Sequence, residues 1–113
     1  MSNGFARVVD LQNSRFIHAQ DAVKEQLRIG KFGLAIGSSA QLLEDYPDRV
    51  EVWVLLGQAL IGAGEVSEAI AVLVSATELD STSSLAWSYL GHAQRLAGQL
   101  QGASDSMSQA VTL

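Results

Sequence analysis

Three glycines, Gly30, Gly64 and Gly98, stand 34 residues apart, and other landmarks keep the same register. Ala35, Ala69 and Ala103 repeat at that interval, as do the pairs Trp53 and Trp87, Leu56 and Leu90, and Gly57 and Gly91. A fixed period of this length marks an array of small stacked units. One such unit is too small to bury its own apolar face, so neighbours must cover one another and build a core along one direction. This constrains the chain more than any short motif in it.

Within the period, each landmark has a structural role. Gly57 and Gly91 fall inside helical stretches, where Gly costs about 1 kcal/mol against Ala. Two of them in register imply an approach between helices that a methyl group would block. Gly30, Gly64 and Gly98 end the first helix of each pair, where a left-handed residue is easiest for Gly. Ala35, Ala69 and Ala103 face that first helix and let the pair close. Trp53 and Trp87 fill space between helices, and Phe32 and Met107 belong with them in the core. The apolar spacing predicts first helices over 15–29, 49–62 and 83–97, and second helices over 33–44, 66–79 and 100–111. Asp48 with Glu51 three residues on forms a capping-box-like start, and Ser81 and Thr82 offer a similar cap before the third pair.

The landmark set resembles the tetratricopeptide repeat family, whose unit has Trp, Leu-Gly, an aromatic, Ala, a large apolar residue and a late Pro. The second repeat shows Trp53, Leu56-Gly57, Leu60, Ala69, Leu73 and Ala76, with Ser81 at the Pro place. The third shows Trp87, Leu90-Gly91, Ala103, Met107 and Ala110. The first keeps Gly30, Ala35 and Pro47 but has Ala19 at the Trp place and Ala22-Val23 for Leu-Gly. The resemblance implies an all-α fold: a right-handed α-solenoid of about three helix-turn-helix repeats with a short N-terminal helix. Residues 1–15 are expected to form a remnant capping helix with Phe5, Val8 and Leu11 over the first repeat. Repeats are expected at 16–49, 50–83 and 84–113, the last incomplete and uncapped.

Composition narrows the function. The 113 residues are 48% hydrophobic and 17% charged, as in a folded chain. No cysteine occurs, which excludes disulfides, thiolate metal sites and thiol nucleophiles. No apolar run reaches the roughly 18 residues of a membrane span. With no secretory signal at the N-terminus either, a cytoplasmic location is the default expectation. Residues 1–49 carry six basic and six acidic side chains, whereas residues 50–113 carry Arg95 against six acids. The net charge of −5 is therefore all in the second part and makes nucleic acid a poor partner. His18 and His92 belong to no paired metal-ligand or catalytic spacing, and Gly62-Ala63-Gly64 lacks the third glycine of a dinucleotide loop. Gly37-Ser38-Ser39 likewise lacks the flanking glycine of a nucleophile elbow. Neither a metal, a cofactor nor a catalytic residue is expected.

The resemblance implies instead a protein or peptide partner held in a concave groove lined by the first helices, in the manner of an adaptor or co-chaperone. The groove places fall on Ile17, Gln20, Lys24 and Leu27 in the first repeat, and on Glu51, Val54, Gln58 and Ile61 in the second. In the third they fall on Leu85, Ser88, His92 and Arg95, with Tyr89 beside them. Family members that clamp acidic chaperone tails use Lys and Asn in the first two repeats and Lys with Arg in the third. This chain has Gln20, Lys24, Leu55, Leu85 and Tyr89 there, which argues against such a clamp. By fold-level analogy a small secretion-system chaperone is another possibility. A different class is self-association, with Leu100, Met107, Ala110 and Val111 on an uncovered face meeting a second copy.

Overall fold

The computed structural model describes residues 3–113, which form six helices joined by short turns. They are α1 (Asn3–Arg28), α2 (Phe32–Asp45), α3 (Val50–Gly62), α4 (Val66–Leu79), α5 (Ser84–Leu96) and α6 (Leu100–Thr112). No strand occurs among the described residues. The molecule measures 57 × 31 × 20 Å, the elongated shape of a short all-α solenoid.

The three register glycines act as read from the sequence. Gly30, Gly64 and Gly98 have φ of 78°, 82° and 80°, the left-handed region open to Gly. After each, a backbone N–H reaches back across the helix end. Lys31 bonds to Gln26 at 2.9 Å, Glu65 to Leu60 at 2.8 Å and Gln99 to Gln94 at 2.8 Å. These are Schellman closures, and they turn each pair through the same tight corner. The other corners are capped differently from expectation. Arg49, with no side-chain bond, occupies the N-cap of α3, so Asp48 makes no capping box. Ser83 caps α5 by accepting from the Ala86 N–H, while Ser81 and Thr82 lie outside the helix. Each turn is pinned from above by an indole: Trp53 Nε1 donates to the Pro47 carbonyl and Trp87 Nε1 to the Ser81 carbonyl, both at 2.9 Å.

The expected separate N-terminal helix is absent. α1 runs unbroken from Asn3 to Arg28, because neither Gly nor Pro interrupts residues 5–28. Val8 and Leu11 are exposed rather than folded back over the first repeat. The side chain of Phe5 lies outside the described residues.

Packing follows the period. Ala35, Ala69 and Ala103 are buried at the seams of the pairs. A Cβ on Gly57 would stand 2.6 Å from Leu73 Cγ, and one on Gly91 would stand 3.1 Å from Met107 Cγ. The two interior glycines therefore admit the large side chain of the partner helix. Met107 is 39% exposed, so it belongs to the core along its stem only. Consecutive helices touch throughout, and the first helices α1, α3 and α5 also touch one another. Among the described residues the second helices α2, α4 and α6 make no such contact with each other. The stack is thus a wedge, tight along α1, α3 and α5, and that side is its inner wall.

Candidate protein-binding groove

Because α1, α3 and α5 lie side by side in the same orientation, residues 34 apart form rows across the wall. The first row is Ile17, Glu51 and Leu85. All three are exposed, with Leu85 at 62%. The second is Gln20, Val54 and Ser88, the third Lys24, Gln58 and His92, and the fourth Leu27, Ile61 and Arg95. In the structure one lip of the wall is apolar with a single carboxylate, and the other carries the cations Lys24 and Arg95, both exposed.

One groove residue is misplaced by the sequence reading. Val54 is 4% exposed and packs with Ala76 and Ala86, beneath the half-buried Val50, Trp53 and Tyr89. The Tyr89 ring lies on the neighbouring first helix and closes over this site, so Val54 is core. Leu27 and Ile61 are half-buried and lean on the clusters around Val23 and Leu60. The free apolar surface therefore sits at Ile17 and Leu85, not at the centre of the wall.

The middle of the wall is polar. Gln20, Gln58 and Ser88 are half-buried, and among the described residues they make no hydrogen bond. Arg95 Nη2 lies 2.8 Å from His92 Nδ1. Guanidinium only donates, so Nδ1 must accept and the ring proton stands on Nε2, free to donate. These groups supply both donors and acceptors within the two middle rows, as an extended backbone requires. Among the described residues no group of three or more His, Cys, Asp or Glu could hold a metal. No helix is long and apolar enough to cross a membrane.

Two hollows lie elsewhere, and neither includes a wall residue. One of about 520 Å³ is lined by Ala19, Ala22, Gly33, Leu34, Gly37, Ser38 and Gln41, between α1 and α2. The other, of about 540 Å³, continues past Ala19 to Gln12, Arg15, Leu42, Asp45 and Tyr46. Their sequence signal is Ala19 at the Trp place: with no indole there, the seam of the first pair stays open. Arg49 closes the far side of that pair, its guanidinium 4.0 Å from the Phe16 ring centre and 5.2 Å from that of Tyr46.

The tetratricopeptide repeat profile matches residues 27–92, more than half of the chain. The chain belongs to the tetratricopeptide repeat family. The second such module of Spaghetti, bound to the HSP90 peptide SRMEEVD, superposes with a TM-score of 0.81 at 21% identity, covering 90% of this chain and 95% of that one. The Sgt2 domain of Aspergillus fumigatus gives 0.83 at 20% identity, over 87% of this chain and 65% of that one. The type III secretion translocator chaperone SycD of Yersinia enterocolitica gives 0.81 at 15%, over 86% and 74%. Identities this low establish a shared fold only. No curated protein sequence matches significantly. A tetratricopeptide fold is one that serves protein interaction, and the inner wall of this member has the chemistry described above.

Proposed function

We propose that this tetratricopeptide module recognises a short, extended segment of another protein along the α1, α3 and α5 wall and does no chemistry on it. The observation that carries this reading is the set of polar groups in the two middle rows, Gln20, Gln58 and Ser88, which have no partner among the described residues, together with His92 Nε2 and the flanking exposed Ile17 and Leu85. An extended backbone would satisfy those groups. Apolar side chains of the guest would rest on Ile17 and Leu85, and a carboxylate of the guest would face Lys24 and Arg95. Buried apolar anchors would contribute most of the affinity, and the polar groups would set register. Adaptor and chaperone roles both follow from such recognition, and the wall does not favour one over the other.

The test is capture of partners on the immobilised chain, comparing wild type with Ile17→Glu/Leu85→Glu. Both positions are exposed, so the variant keeps the fold, unlike a substitution at buried Val54. Loss of a partner that wild type retains supports groove recognition. Undiminished retention of every partner by the variant rules it out.

A further inference from the structure

Among the described residues, two apolar faces have no cover within the fold, and they stand at opposite ends of the stack. The first is on α6, where Leu100, Met107 and Val111 share one side of the helix, with Val111 83% exposed. The structure itself shows what covers this side in the earlier repeats. Phe32, the counterpart of Leu100, lies against Gly62 of α3. Leu43, the counterpart of Val111, packs in the cluster of Val52 on α3. Leu73, the counterpart of Met107, is fully buried with Leu90 and Ala93 of α5. In each case the cover is a first-type helix of the next repeat. Ala110 is not part of the free face: it is buried, and its carbonyl accepts from Ser84 Oγ at 3.1 Å.

The second uncovered face belongs to a helix of that first type. The stretch of α1 before residue 16 runs beyond the paired part of the first repeat, with Val8 and Leu11 exposed at 52% and 54% on adjacent turns. We propose that this N-terminal stretch of α1 docks on the α6 face of a second copy, head to tail.

The alternatives between copies are less favourable. Pairing α6 with α6 would bring together two regions that each carry net −5 over residues 50–113. The α1 stretch instead offers Arg7 and Arg15 against Asp10. Docking α6 further along α1 would meet His18, Asp21 and Glu25. Those stand where α3 has Val52, Leu55 and Ala59 and α5 has Ala86, Tyr89 and Ala93. Setting carboxylates against Leu100 and Val111 would bury charge without a partner. With two apolar side chains on one copy and three on the other, the contact is small against the roughly 1,200 Å² total of stable complexes, so the association is weak and concentration-driven. It is heterologous, and it builds open chains or rings. It leaves the inner wall free and stands independently of the groove reading.

The experiment is sedimentation velocity on the full chain from about 10 μM to about 1 mM, the range in which a weak contact shows. Two variants are compared, Val8→Glu/Leu11→Glu and Leu100→Glu/Val111→Glu, with circular dichroism to show that both keep their helices. Wild type should gain mass with concentration, and each variant alone should stay monomeric. An equimolar mixture of the two should form a 1:1 complex and nothing larger, since one keeps only α6 and the other only the α1 stretch. A wild type that stays monomeric throughout overturns the proposal. So does a mixture that forms no complex, or an α1 variant that associates as wild type does, which would indicate α6 pairing.

Discussion

Glycines at three kinds of position in these helices have different reasons to be there, and substitution separates them. At Gly57 a new methyl group would stand 2.6 Å from Leu73 Cγ and Cδ2, and Leu73 is fully buried with no room to swing away. Overpacking of that kind costs about 1–3 kcal/mol, more than the roughly 1 kcal/mol that Ala gains over Gly in a helix. At Gly91 the neighbours are the flexible, partly exposed Met107 at 3.1 Å and the Ala103 carbonyl oxygen at 3.3 Å, a milder overlap than at Gly57, so the two effects nearly cancel. At Gly37 nothing lies within 4 Å, and only the helix gain of about 1 kcal/mol remains. Urea midpoints should therefore rank Gly37→Ala above wild type, Gly91→Ala near it and Gly57→Ala below it. A Gly57→Ala midpoint equal to wild type would show that the packing against Leu73 is not as described. The close helix approach at Gly57 and Gly91 was legible in the sequence because the register repeated it. The burial of Val54 was not legible. Gln20 and Ser88 occupy its place in the other repeats and stay half-exposed, whereas Val54 is closed in by Ala76, Ala86 and Tyr89 from the adjacent helices.

Helix boundaries after residue 28 were readable to within about a residue at every corner, but the residues that cap the corners without Gly were not. The turn between α4 and α5 shows why. Thr82 and Ser83 compete for the same corner: Ser83 takes the cap, and Thr82 instead donates its N–H to Asp80 Oδ1 at 3.0 Å and its hydroxyl to the same oxygen. Local composition cannot separate residues that are both good at such bonds. The Thr82 hydroxyl, with its N–H, holds the Asp80 carboxyl below the usual carboxylate range. A carboxyl with a lowered folded pKa contributes stability above its unfolded pKa and loses it as pH falls through the folded value. The melting-temperature difference between wild type and Thr82→Ala should thus be largest near neutrality and shrink as the solution is acidified through the carboxylate range. A gap that stays constant or widens toward acid would mean that the Asp80 bond does not stabilise this turn. The unbroken α1 was missed for a different reason. The repeat register suggested a corner near residue 15, but a corner needs a helix breaker, and Asn13-Ser14-Arg15 leaves the helix intact.

In the molecule as a whole, contacts join only neighbouring helices along the stack, so stability should vary with position. The clusters around Leu73 and Val52 are covered on both sides, whereas among the described residues α6 has one bare face and no helix packs against Val8 and Leu11 at the start of α1. Native-state hydrogen exchange should accordingly find the slowest amides in α3 and α4 and the fastest helical ones in α6 and before residue 16. Uniform protection along the chain would contradict this one-dimensional coupling. The wall, too, exists only at this scale, since each row takes one residue from each of three repeats. Its general outline followed from the period, but the chemistry of each place depends on the residue that stands there. At the places where acidic-tail clamps put cations and amides, this chain has Gln20, Lys24, Leu55, Leu85 and Tyr89, and Leu55 is buried against Val23 and Ala59. Lys24 is the one cation among those five places, and an exposed ion pair contributes about 1 kcal/mol or less. The HSP90 peptide SRMEEVD carried by the second Spaghetti module should therefore bind this chain no tighter than about 1 mM by isothermal titration calorimetry. Micromolar binding that is lost in Lys24→Ala would mean that one cation suffices to seat an acidic tail, and that the apolar lip at Ile17 and Leu85 is not what selects the guest.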